Sequence, residues 1–247
     1  MQARTSLRFN LNAEVIGSRA FIVVLSVLLL NGCSGGDRGF YPLEDGRAWH
    51  YNITRTTMDG TFQQKHIVEA LPEIEWGDSR GIPLVNAAGE QYLYQRLNGA
   101  LQRVAVKPRT TRYFVAHDEP YTILPADIKP GTRWQQNMFS RVLENTGPPW
   151  ETLFRIVEPV SVSFEVASVE AEVAVPAGQF KDCVKIVGKG EANVDVGNYI
   201  GRTIVSIEIV NWYAAGVGLV KSRRRETTTA DALNYGEVLL ELEHSTY

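Results

Sequence analysis

Val160-Ser161-Val162-Ser163-Phe164-Glu165-Val166 decides the fold. Apolar and polar residues alternate strictly, which is the period of a half-buried strand and not of a helix. The chain runs on through Ser168 into Val169-Glu170-Ala171-Glu172-Val173-Ala174-Val175, where alternation resumes one position out of step. Such a slip predicts a β-bulge or a bend within one long strand.

The same alternation recurs on both sides of this stretch. Pro176-Ala177-Gly178 reads as a turn, after which Phe180, Asp182, Val184 and Ile186 alternate with Lys181, Cys183 and Lys185. Val205, Ile207 and Ile209 lead to Trp212-Tyr213, and Val238, Leu240 and Leu242 alternate with Leu239, Glu241 and Glu243. Upstream, Gln91–Arg96 and Leu101–Val104 flank Asn98-Gly99. Asn-Gly between β-rich runs signals a tight hairpin, because both central residues of a type I′ turn need positive φ. Gly216-Val217-Gly218 stands between Trp212-Tyr213 and Leu219-Val220-Lys221 and reads as another tight bend. A phosphate-cradling loop would need a helix to follow, and a strand follows here. A short helix is expected only near Pro120–Lys129. The fold class is therefore all-β: a single antiparallel domain, a curved half-barrel or a sandwich, with at most one short helix.

Pro42-x-x-x-Gly46-x-x-Trp49 recurs with altered spacing as Pro125-x(5)-Gly131-x-x-Trp134. In both, a Pro/Gly turn precedes a Trp that opens a strand. Each Trp is expected to close one end of a β core.

The N-terminus carries an address. Arg4, Arg8 and Arg19 precede an apolar run, Ala20–Leu30, that ends in Leu30-Asn31-Gly32-Cys33. Charged, apolar and small-residue regions in that order make a secretory signal. Spanning a bilayer takes about 20 apolar residues, whereas this run has 11. Leu30, Gly32 and Cys33 resemble the lipobox of bacterial lipoproteins, although Asn31 departs from the usual Ala, Ser or Thr. The resemblance implies cleavage after residue 32 and acylation of Cys33 (palmitate among its chains). By resemblance to the enterobacterial sorting rule, Ser34 rather than Asp after the Cys favours the outer membrane over the inner. The expected organisation is a signal peptide over 1–32, lipidated Cys33 with a tether to residue 39, and a β-rich domain over 40–247. Fully extended, the tether reaches only about 20 Å at roughly 3.3 Å per residue.

Loss of residues 1–32 leaves 215 residues, with 22 basic against 27 acidic side chains and a net charge of −5. That length suits one all-β domain with a sizeable core. That charge gives no electrostatic case for nucleic acid. With Cys33 acylated, Cys183 has no partner for a disulfide. It is expected to be buried as a small hydrophobe.

Three motifs form a set. They are Tyr41-Pro42-Leu43-x-x-Gly46-x-x-Trp49-x-Tyr51, Val175-Pro176-Ala177-Gly178-x-Phe180, and Trp212-Tyr213-Ala214-x-Gly216-Val217-Gly218-Leu219-Val220-Lys221. Together they resemble a group of uncharacterised β-rich bacterial envelope lipoproteins, over roughly residues 40–225. The resemblance implies a curved antiparallel sheet, somewhat like the half-barrels of lipoprotein carriers. It implies no catalytic residue and no cofactor.

Few residues of the chain fall into patterns that carry chemistry. His50, His66, His117 and His244 lie outside metal-ligand spacing of one another and of Cys183. No nucleophile elbow, zincin or calcium-loop motif occurs. His117-Asp118-Glu119 is the densest polar cluster near a histidine and reads as a solvated loop before Pro120. Lys221, Arg223, Arg224 and Arg225 form the only basic run. In a strand Arg223 and Arg225 share a face, facing lipid phosphate or glycan in one reading and Glu170, Glu172 or Glu208 in the other. Tyr92, Tyr94, Tyr113, Phe114, Tyr121, Trp134, Trp150 and Trp212 are candidates to line a concave apolar surface. The expectation is a non-enzymatic outer-membrane lipoprotein facing the periplasm. It would be held by the lipid on Cys33 and bind or scaffold an envelope protein, lipid or glycan. The alternatives are a carrier or chaperone of lipid or lipoprotein with an apolar cavity, and an envelope hydrolase.

Overall fold

The computed structural model describes residues 39–140, 158–196, 201–231 and 235–246. The chain divides after Ser34, and all described residues belong to the unit Gly35–Tyr247, which contains the whole β core. Cys33 and Trp150 lie outside the described residues.

Among the described residues, thirteen strands build one antiparallel sheet. The first run is β1 (Ala48–Thr57), β2 (Gly60–Ala70), β3 (Ile74–Trp76), β4 (Ser79–Asn86), β5 (Gln91–Leu97), β6 (Ala100–Lys107) and β7 (Val115–Leu124). The second is β8 (Arg133–Met138), β9 (Val160–Val175), β10 (Gly178–Asp195), β11 (Arg202–Ala214), β12 (Gly218–Thr228) and β13 (Tyr235–Thr246). Apart from the short β3, which pairs only with β4, the lateral order is β7-β6-β5-β4-β2-β1-β13-β12-β11-β10-β9-β8. This is an up-and-down meander whose first and last strands pair, β1 with β13. Among the described residues, β7 and β8, neighbours in sequence, are the two edges, and a ladder between them would close the ring. The sandwich alternative gives way to the curved half-barrel.

The slip in the opening stretch is a bulge inside one 16-residue strand, β9. Its pairing with β10 jumps at Ala171↔Cys183, Ser168↔Lys185 and Val166↔Ile186. Val160, Val162, Phe164 and Val166 are buried before the slip, and Val173 after it. Asn98 (φ 50°) and Gly99 (φ 81°) turn β5 into β6 as the type I′ hairpin requires. Pro176-Ala177 and Ala215–Val217 are the two other expected turns.

Three expectations need correction. Pro120–Lys129 holds no helix and His117-Asp118-Glu119 is no loop, because Val115–Leu124 is strand β7 and a loop follows it. β7 is an edge strand, where the N–H that Pro120 lacks is not needed by a continuous ladder. In β10 the alternation breaks at Asp182, which adopts φ 52° and makes a bulge. Cys183 and Val184 are consequently both fully buried, instead of on opposite faces. The burial expected of Cys183 holds, and burial also raises its thiol pKa.

Candidate functional site

The inner face of the ring is plugged at one end. Trp49 is 1% exposed, and its Nε1 donates to Val217 O at 2.6 Å. Arg47 Nη2 donates to Gly216 O at 2.5 Å, and Tyr51 Oη to Leu219 O at 3.0 Å. The Gly216 N–H in turn donates to Gly39 O at 2.9 Å. The first and third sequence motifs thus form one device: Arg47 and the β1 side chains Trp49 and Tyr51 hold carbonyls of the β11–β12 turn and of the start of β12. Tyr41 packs against Trp49, Tyr94 and Tyr213 with ring centroids 5.9–6.1 Å apart. Burial raises the pKa of Tyr41, Tyr51, Tyr94 and Tyr213, so these phenols remain neutral donors.

Opposite the β1–β13 ladder lies the seam. Side chains bridge it where no ladder forms. The Thr122 N–H donates to Gln136 Oε1 at 3.0 Å, and Asn137 Nδ2 donates to Glu119 Oε2 at 3.3 Å. Asp118, Glu119 and Pro120 on β7 blunt an edge that would otherwise recruit another strand.

Behind the seam the lumen keeps a hollow of about 210 Å³. Trp134, Phe164, Ile186, Ile209 and Met138 form its apolar wall, and Arg103, Tyr121, Asn211, Tyr213, Ser222 and Arg224 its polar wall. Trp134 stacks on Phe164 at 5.4 Å and 11°. Phe164 lies flat because β10 presents Gly188 beneath it: a Cβ there would stand 2.5 Å from Phe164 Cε1. Trp134 is therefore half-buried on a hollow, unlike the sealed Trp49.

Most polar groups of the wall are already engaged. Ser222 Oγ donates to Asn211 Oδ1 at 2.7 Å. Arg224 Nε donates to the fully buried Glu226 at 2.6 Å and its Nη2 to Phe139 O, while Ser140 Oγ bonds Glu226. This cluster fastens the end of β8 to β12. Arg103 differs. Its guanidinium lies between the rings of Tyr92 (4.8 Å) and Tyr121 (4.5 Å), and its buried Nε finds no protein acceptor. Trp134 Nε1 is likewise buried without a protein acceptor.

The aromatic candidates separate accordingly. Tyr92, Tyr94, Tyr121 and Trp134 surround the lumen. Tyr113 is 68% exposed, Phe114 packs on Trp76 in a satellite core, and Trp212 lies on the outer face under Lys185. The basic run splits as its spacing implies. Arg224 points inward, and Arg223 pairs outside with Glu208 at 3.8 Å. Strand register also brings His50 onto His244, stacked at 4.0 Å, a pair that sequence spacing missed. Among the described residues no three His, Cys, Asp or Glu side chains gather as a metal site.

No family model matches the chain, and no curated protein matches it. Two solved structures are similar at low identity. One, from Bacteroides fragilis NCTC 9343, is described as an exported protein with a YmcC-like fold. It is 15% identical, with a TM-score of 0.40 over 84% of this chain and 99% of its own. The other, from Parabacteroides distasonis ATCC 8503, is described as a lipoprotein. It is 12% identical, with a TM-score of 0.36 over 84% of this chain and 98% of its own.

Proposed function

We propose that this chain is an outer-membrane lipoprotein, acylated at Cys33, whose domain is a non-enzymatic binding module with its ligand site in the lumen beside the seam. The observation that carries this reading is the missing β7–β8 ladder. It leaves a mixed polar and apolar hollow next to the one lateral break in the ring. The tether supplies an orientation: Gly39 is bound at the plugged end, so a lipid on Cys33 keeps that end within about 20 Å of the bilayer.

The carrier alternative gains less support. A hollow of about 210 Å³ falls below the roughly 300–1,000 Å³ of pockets that enclose larger ligands. The hydrolase alternative gains less still. The lumen offers neutral tyrosines, an engaged Arg224–Glu226 pair and Arg103, a set suited to holding a ligand rather than moving its protons.

Labelled palmitate, followed by separation of inner and outer membranes, tests the anchor. Wild type should carry label in the outer-membrane fraction and Cys33→Ala should carry none. Equal labelling of both would end the lipoprotein reading.

A further inference from the structure

The lumen's polar wall contains a charge that no carboxylate among the described residues pairs with. Arg103 takes part in no ion pair among the described residues. A half-buried guanidinium is costly to leave unanswered, because its hydration is curtailed. The Tyr92 and Tyr121 rings flank it, with centroids 4.8 and 4.5 Å from Cζ. Such ring contacts do not consume its N–H donors, and a guanidinium fork binds carboxylate or phosphate oxygens bidentately. The larger cleft on the outer face, about 520 Å³ beside Lys189, Glu208 and Arg225, contrasts with this. There Lys189 and Arg223 pair with Glu208, and Glu191 accepts from Ser206.

A second unmatched donor belongs to a residue lining the same hollow. The buried Trp134 Nε1 has no protein acceptor, and an indole N–H can only donate. Both unmatched groups of this wall thus seek acceptor oxygens, and one is a full positive charge. The flanking surface of Phe164, Ile186, Ile209 and Met138 is apolar. At roughly 30 Å³ per water-sized volume, about 210 Å³ admits a head group and a short stem, not a full acyl chain.

From this donor set we infer that the lumen binds an oxyanion, carboxylate or phosphate monoester, carried on a short apolar stem. The oxyanion sits on the Arg103 fork within reach of Trp134 Nε1, and the stem lies on the Trp134–Phe164 wall. The inference rests on the lumen being the ligand site.

Calorimetric titration of residues 35–247 with hexanoate, hexyl phosphate, inorganic phosphate and 1-hexanol tests it. One or both amphiphilic anions should bind at millimolar concentration or below, more tightly than inorganic phosphate or 1-hexanol. The preferred anion identifies the head group. Arg103→Gln should weaken that binding roughly 10- to 100-fold, the range for a charge-assisted hydrogen bond. Arg103→Lys keeps the charge but loses the fork, and should still weaken binding several-fold. It carries the test should the Gln variant fold poorly. If 1-hexanol binds as well as either anion, or the Arg103 variants bind like wild type, the oxyanion inference falls while a lumenal site survives. If none of the four probes binds, both fall.

Discussion

Trp49→Ala removes the centrepiece of the plugged end. The side chain is 1% exposed and packs against Tyr41, with Arg47 over its ring at 5.8 Å. Truncating a buried Trp costs about 3–5 kcal/mol through lost burial and the cavity left behind. The Val217 carbonyl, which accepts from Nε1, loses its donor, adding about 1 kcal/mol. The sum approaches the whole stability of a domain holding about 5–15 kcal/mol. Trp134→Ala should cost only about 2 kcal/mol, because that ring borders a hollow and gives up no hydrogen bond to protein. Urea titration of residues 35–247 separates the two. With an m-value of about 2 kcal/mol/M, Trp49→Ala should lower the midpoint by about 2–3 M and Trp134→Ala by about 1 M. Trp49→Phe, which keeps a ring, should fall between wild type and Trp49→Ala. Equal losses in the two alanine variants, or a Trp49→Ala midpoint near wild type, would refute the assignment of one Trp to the plug and the other to the lumen.

Gly188→Ala should destabilise the domain by about 1–3 kcal/mol, as overpacking does, because the new Cβ meets the Phe164 ring at 2.5 Å. A midpoint equal to wild type would show that the ring is not held against β10. Cys183 should resist thiol reagents until the domain unfolds, since it is fully buried with a raised pKa; fast labelling of the native protein would contradict this. His66 has its pKa lowered by burial, so the fold favours its neutral form. Its contribution is complete above the unfolded value of about 6.5 and is lost as pH falls through the lower folded value. Stability measured across that window should decline less steeply in His66→Gln than in wild type, and parallel curves would show that the ring is solvated.

Local features of the fold were legible in the sequence because they rest on neighbours along the chain. The one-residue slip in β9, the Asn98-Gly99 hairpin and the bend at Gly216–Gly218 each follow from period or from positive φ. The Asp182 bulge was not legible, since an Asp at φ 52° leaves no mark in an apolar pattern. The helix expected near Pro120 is absent because Val115–Leu124 takes its structure from pairing with β6, a long-range contact that a short run without clear period does not reveal. The lumenal site lay further out of reach. Arg103 gains its neighbours only through register, Tyr121 lying opposite it on β7 and Tyr94 on β5. The seam is a ladder that two consecutive strands decline to form, which no residue pattern announces. Trp49 and Trp134 share a motif, and only topology separates their roles, since β1 is paired on both sides and β8 on one.

The most direct test of the lumenal site follows the indole N–H signals of residues 35–247 by two-dimensional ¹⁵N–¹H NMR during titration with hexyl phosphate and hexanoate. The Trp134 Nε1–H resonance, identified by its loss in Trp134→Phe, should move downfield as it gains an oxygen acceptor. The Trp49 Nε1–H, already bonded to Val217 O, should stay in place. A stationary Trp134 signal, with shifts confined to outer-face residues such as Trp212, would contradict binding in the lumen.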